Sequence, residues 1–287
     1  MTFKLFIDLL ISALFGVVEG ITEWLPISST GHMILLNNII DFDVDKDFFD
    51  MYEVVIQFGA ILAVVVVFWK KLWPFCMKVH MTDGGQVKRP GWIPGAFSMW
   101  MKIIVSCIPA AIVGLLFDDE IDRLFYHPIP IAIALIVVGI AFIIVESTVG
   151  KQDPHMDSIA ELTYKAALII GVFQVIAAIF PGTSRSGATI IGAIVIGVSR
   201  QTAAEYTFFL AVPVMLGASL LKLFKFGFAF TPSEAAILIV GMVVSYLVSI
   251  IVIKFLMSYI KKHDFKAFGW YRIALGIVVI LYFGFAA

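Results

Sequence analysis

GVVEGITEWLPISSTGH, residues 16–32, sets Glu19 and Glu23 in a run otherwise suited to lipid and follows them within ten residues with hydroxyl side chains and His32. A charged group at membrane depth costs about 2.5–3.5 kcal/mol on insertion scales, so such a stretch needs a chemical reason. Around it the chain of 287 residues is 61% hydrophobic and 14% charged, with a mean hydropathy of +1.02. No soluble globular protein needs that much apolar surface, which makes this an integral membrane protein. A net charge of −1 excludes bulk attraction to nucleic acid. Cys76 falls in a polar loop and Cys107 in an apolar run, neither beside His or Cys partners, and both are read as packing residues. The first twenty residues have the look of a signal peptide, but no small-x-small cleavage pattern follows, and they are expected to stay in the mature chain.

Apolar runs long enough to cross roughly 30 Å of hydrocarbon lie near residues 51–69, 101–117, 129–146, 203–221, 234–257 and 270–286. Two more stretches, 5–40 and 163–198, are broken midway by Pro, Gly and hydroxyl residues. Laid over each other at an offset of 155, they pair Gly16 with Gly171, Pro26 with Pro181, Ser28 with Thr183 and Ser29 with Ser184. Glu53 with Glu205 and Lys70 with Lys222 follow at 152. The pattern predicts an all-α integral membrane fold of two inverted-topology repeats, 1–150 and 151–287, each a re-entrant helical hairpin plus three transmembrane helices. Lys70, Lys71, Lys78, Lys88, Arg89 and Lys102 put one loop in the cytoplasm, as do Lys261, Lys262 and Lys266 another; the acidic segments 41–50 and 118–123 and both termini then lie outside. The first hairpin is expected to dip in from outside and the second from the cytoplasm, their tips meeting near the bilayer middle.

Glu19 and Glu23, four apart, share a helix face. Pro26 cannot continue the ladder, and Ser28, Ser29 and Thr30 then offer hydroxyls and backbone N–H groups where a new helix begins, an arrangement that favours anions. In the second hairpin PGTSRSGAT, residues 181–189, repeats the device through Thr183, Ser184, Ser186 and Thr189, and adds Arg185, whose planar fork suits phosphate oxygens. Glu19 and Glu23 have become Gln174 and Ala178 there, so one loop brings carboxylates and the other the cation. Two carboxylates about 6 Å apart repel by roughly 3 kcal/mol at an effective dielectric of 20, so they should share a proton or a hard divalent metal ion that keeps waters for a substrate phosphate. His32, Ser29 and Arg185 would complete a phosphoryl-transfer site. Glu53, Gln57 and Glu205, at span ends, carry a weaker signal.

On GVVEGITEWLPISSTGH, on YEVVIQFGAILAVV (52–65) and on PGTSRSGAT, the chain resembles the undecaprenyl-diphosphate phosphatase family of bacterial inner membranes, the type associated with bacitracin resistance. The resemblance runs end to end, with a loop from about 71 to 100 longer than the family minimum. It implies hydrolysis of undecaprenyl diphosphate to the monophosphate and inorganic phosphate, recycling the lipid carrier for peptidoglycan synthesis, with dependence on Mg²⁺ or Ca²⁺. It also implies site positions at Glu19, Glu23, Ser28, Ser29, His32, Ser184, Arg185 and Thr189. The favoured roles are Ser29 as nucleophile, His32 relaying protons, the Glu pair holding metal and Arg185 stabilising the equatorial oxygens. Phosphohistidine at His32, or attack by metal-activated water, stays open, and so does a homodimer. Acid-phosphatase-like lipid phosphatases fit poorly, because SRQTAAEY (199–206) lacks their second histidine. A lipid or solute transporter is the alternative of a different class. The first hairpin suggests access from the extracytoplasmic leaflet.

Overall fold

A computed structural model of the chain describes residues 3–40, 42–82 and 85–285. Asp41, in one of the acidic segments, and residues 83 and 84 of the basic loop lie outside the described residues. α1 (Phe3–Thr22) is followed by a turn through Pro26 and by α2 (Ser29–Ile39). α3 (Lys46–Val55), capped by the Asp45 carboxylate, and α4 (Gln57–Val67) run on with a break at Ile56. After α5 (Trp69–Leu72), β1 (Phe75–Thr82) and β2 (Gly85–Trp92) pair antiparallel, Phe75 opposite Trp92. α6 (Pro94–Phe125) and α7 (Pro128–Ser147) complete the first half. α8 (Tyr164–Ile179) and α9 (Arg185–Val195) start on Thr163 and Ser184 caps. α10 (Arg200–Phe226) starts on a Ser199 cap, α11 (Pro232–Tyr259) on a Thr231–Glu234 capping box, and α12 (Lys266–Phe285) ends the fold.

Among the described residues, seven helical segments are long and apolar enough to cross a membrane: α1, α3–α4, most of α6, α7, α10, α11 and α12. The protein is therefore a multi-pass helical membrane protein. α1 joins the six spans expected from hydropathy because its twenty residues stay helical up to Thr22 before Pro26 breaks the ladder. The β-hairpin between α5 and α6 was unforeseen, since its strands sit in a charged loop. Trp69 stacks on Trp73, Trp73 meets Phe75 edge-on and Phe75 lies tilted against Trp92, a chain of aromatic contacts along its base of the kind that supports a two-stranded ribbon.

Packing pairs the two halves crosswise: α1 lies along α11, α8 along α6, and α7 along α12. Gly16 lets α1 approach so closely that a Cβ there would stand 2.6 Å from the Gly241 carbonyl oxygen; at Gly171 it would stand 2.5 Å from that of Ser106. Each of the two interfaces also holds a serine hydroxyl donating to a carbonyl, beside a tyrosine. Ser12 Oγ donates to Ile237 O at 2.7 Å and meets Tyr52 at 2.8 Å; Ser106 Oγ donates to Ala167 O at 2.6 Å and meets Tyr206 at 2.7 Å.

The ends of each hairpin come back together. Lys4 pairs with Asp43 at 2.6 Å, and both border a cavity of about 270 Å³ with Ser233 and Glu234 at the start of α11. In the second hairpin His155 N donates to Gly197 O at 2.8 Å and Ser199 N to Met156 O at 2.9 Å. That end shares a cavity of about 560 Å³ with Met257 and Lys261 at the other end of α11. Gly20 packs on Ser245 and Val248, so the α1–α2 turn is carried past the middle of α11.

Gly16→Ala and Gly171→Ala should each destabilise the protein by about 1–3 kcal/mol through forced separation of a helix pair. Gly114→Ala, where an added Cβ meets nothing within 4 Å, should not. Thermal unfolding in one detergent compares the three.

Candidate functional site

Two serines define where the hairpin turns end. Ser28 has φ +73° and Ser184 φ +68°, the only non-glycine residues with positive φ among the described residues, and each directly precedes a helix. A non-glycine residue held there costs of order 1–3 kcal/mol and persists only where its surroundings over-determine it. The two are 156 apart, one more than the offset that pairs Gly16 with Gly171. The second turn has gained a residue, so that Ser184 stands where Ser28 does and Arg185 opens α9 as Ser29 opens α2.

The turns are joined by charge. Arg185 Nη2 donates to Glu23 Oε1 at 2.7 Å, with the guanidinium 13% and the carboxylate 10% exposed. The other oxygen, Oε2, accepts from Ser29 Oγ at 2.9 Å. Arg185 Nη1 donates to Thr207 O at 3.0 Å, and the guanidinium lies over the buried Trp24 ring at 5.9 Å. Thr189 Oγ1 meets Thr207 Oγ1 at 2.9 Å and donates to Arg185 O at 2.9 Å, fixing the backbone that carries the cation. Ser186 Oγ donates to Glu23 O at 3.3 Å and meets Ser184 Oγ at 3.0 Å, and Ser184 Oγ accepts from Gly187 N.

A second arginine, absent from the residues marked in the sequence, holds both turns. Arg272 on α12 is fully buried; Nη1 donates to Pro26 O at 3.1 Å, and Nη2 to Gly182 O at 2.8 Å and Thr183 O at 2.7 Å. A lone arginine inside the apolar run 270–286 was the available signal, because an ionisable residue at that depth is functional by default. Thr207 and Trp24 gave none, their importance arising only from contact.

The expected residues are otherwise brought together, with two differences. His32 makes no hydrogen bond to Ser29: its Nδ1 meets Ser28 O at 2.7 Å and its Nε2 meets Tyr271 Oη at 2.7 Å, while the hydroxyl of Ser29 donates to Glu23 instead. Thr30 is half-buried and takes no side-chain hydrogen bond in this network, while Thr183 contributes its carbonyl. Glu19 is buried, and its Oε1 has no hydrogen-bond partner; Glu23, Glu53 and Arg185 are its charged neighbours. Ser28 Oγ is likewise buried without a partner. Among the described residues no three His, Cys, Asp or Glu side chains are grouped to hold a metal by themselves. An orphaned carboxylate oxygen beside a second carboxylate does fit a hard cation that draws its remaining ligands from water and a substrate phosphate.

Fold and site together define a membrane-embedded protein whose charged centre is enclosed between two helical hairpins. The family described as bacitracin resistance protein BacA matches residues 12–278, and the chain belongs to it. The undecaprenyl-diphosphatase 1 of Clostridium acetobutylicum is 58% identical over 277 residues, 96% of this chain and 98% of that protein. The undecaprenyl-diphosphatase of Desulfitobacterium hafniense is 56% identical with 96% of both chains covered, and that of Enterococcus faecalis 56% identical with 96% and 97% covered.

Arg272→Met leaves the carbonyls of Pro26, Gly182 and Thr183 without their donor, and each buried unsatisfied group costs about 1–3 kcal/mol. A marked drop in unfolding temperature is expected, which Arg272→Lys does not restore because an ammonium lacks the planar fork that spans both turns. Calorimetry or intrinsic fluorescence in detergent reads it.

Proposed function

We infer that the chain is an undecaprenyl-diphosphatase, which hydrolyses undecaprenyl diphosphate to undecaprenyl phosphate and inorganic phosphate and so returns the lipid carrier to cell-wall synthesis. The observation that carries this is the contact of Ser29, Glu23 and Arg185 across two turns far apart in sequence, in a chain 56–58% identical over nearly its whole length to proteins of that name.

Ser29 Oγ attacks the terminal phosphorus while Glu23 Oε2, at 2.9 Å, takes its proton. The new bond is Oγ–P; the bond broken joins that phosphorus to the bridging oxygen, which leaves with the lipid phosphate. Water then cleaves the phosphoserine and releases inorganic phosphate. Arg185 balances charge on the equatorial oxygens, and the unpaired hydroxyl of Ser28 and the N–H groups opening α2 and α9 supply further donors. Thr183, Ser184, Ser186 and Thr189 shape the second turn around them. Glu19 and Glu23 would hold Mg²⁺ or Ca²⁺, which when bound would supply positive charge to the diphosphate.

The hairpins are re-entrant and related as inverted repeats. Supporting this are the return of each hairpin to its own end of α11, the crosswise pairing of α1 with α11 and α8 with α6, and the matched serine conformations. With the lysine-rich loops in the cytoplasm, the protein sits in the bacterial plasma membrane and the diphosphate is reached from the extracytoplasmic leaflet.

Phosphate release from a prenyl diphosphate should fall about 10²–10³-fold in Glu23→Ala and Arg185→Ala. It should stop on chelation and return with Mg²⁺ or Ca²⁺. Ser29→Ala should lose as much; wild-type turnover in that variant would move the attack to His32 or to water, and a wild type that releases no phosphate overturns the hydrolase reading, since a pure transporter releases none.

Asp45→Cys should react with an impermeant thiol reagent on intact cells. Labelling only after lysis reverses the sidedness.

A further inference from the structure

Tyr271 lies next to Arg272 on α12 and has no part in the chemistry above, yet among the described residues it makes the only side-chain hydrogen bond at His32 Nε2, at 2.7 Å. The two rings are stacked, 5.6 Å between centroids and 9° from parallel. At the opposite side of the imidazole, Nδ1 meets the carbonyl oxygen of Ser28 at 2.7 Å. A carbonyl can only accept, so Nδ1 carries the proton; the neutral ring then has its bare lone pair on Nε2, and the Tyr271 hydroxyl donates into it. Both nitrogens are thereby assigned, without the carboxylate partner that orients many histidines.

The anchor is rigid from behind. Arg272, one residue on, is fastened to Pro26, Gly182 and Thr183, so α12 is registered against both turns at the point where Tyr271 reaches His32. Arg272 is fully buried while Tyr271 is 46% exposed, so the same turn of helix faces the centre with one side chain and the margin with the next. We propose that Tyr271 is a positioning residue: the Ser28 carbonyl sets the Nδ1–H form of His32, and the Tyr271 hydroxyl, donating into Nε2, fixes the plane of the imidazole at the margin of the site where the diphosphate lipid arrives. The proposal rests on the phosphatase reading above and gives His32 a proton-handling part in it beside the Glu23–Ser29 contact.

Tyr271→Phe keeps the stacked ring and removes only the hydroxyl; Tyr271→Ala removes both. In Tyr271→Phe, kcat for phosphate release from a prenyl diphosphate should fall about 10–100-fold, the usual effect of losing the partner that orients a functional histidine. KM and unfolding temperature should stay near wild type. With ¹⁵N-labelled histidine in detergent, the His32 Nε2 signal should shift in both variants as its hydrogen bond is lost. His32→Ala combined with Tyr271→Phe should be no slower than His32→Ala alone, since the tyrosine acts only through the ring. Wild-type kcat in Tyr271→Phe, or losses that multiply in the double variant, overturns the proposal. Full activity in His32→Ala instead removes the role on which it rests, and an unchanged ¹⁵N pattern in Tyr271→Phe then overturns the contact itself.

Discussion

The ion pair between Glu23 and Arg185 is the constraint around which the molecule is organised. Breaking a buried pair costs about 3–5 kcal/mol, because the charge left behind has no water to turn to. Here the partners belong to different halves of the chain, so neither half satisfies its own charge. Glu23 also accepts from Ser29, and Arg185 also donates to Thr207 O, so both ions have further hydrogen bonds besides their mutual contact. Charge burial, joining of the halves and the holding of a serine hydroxyl are thus one requirement met by one carboxylate.

Around that pair the protein spends backbone strain and close helix approach. Ser28 and Ser184 hold a conformation most side chains avoid, and what over-determines it is on either side: the helices they open, and Arg272, bound to carbonyls within one or two residues of each serine. The Gly16 and Gly171 contacts bring α1 against α11 and α8 against α6, which sets the depth to which the turns are carried. Sites built on rigid elements hold their geometry better than sites on free loops, and these two turns are rigid by construction.

Much of this was legible in residues 16–32 and 181–189 because membrane burial makes charge informative: each carboxylate or guanidinium in such a run must have a partner. Hydropathy separated the spans for the same reason. The one-residue slip that sets Ser184 opposite Ser28 was hidden because hydroxyl neighbours align equally well in either register, and only backbone torsions distinguish them. His32 could be placed near the site but not oriented, since its partner lies 239 residues away on α12. Arg272 was readable in principle and was passed over inside a run scored by its average hydropathy. The β-hairpin is hidden because its composition is that of a loop, and aromatic contact across it, not periodicity, marks it.

Glu23 and Arg185 are 162 residues apart in the chain. At about 5–20 residues per second, the ribosome needs on the order of ten seconds or more to deliver the cation after the anion. Throughout that interval the first hairpin is already synthesised, and its carboxylates must be tolerated by water or by the insertion machinery. Arg272 arrives later still. Assembly is therefore ordered by translation: Glu23 waits for Arg185, the two turns wait for the last helix, and a chain stalled before that helix leaves the carbonyls of Pro26, Gly182 and Thr183 without their donor.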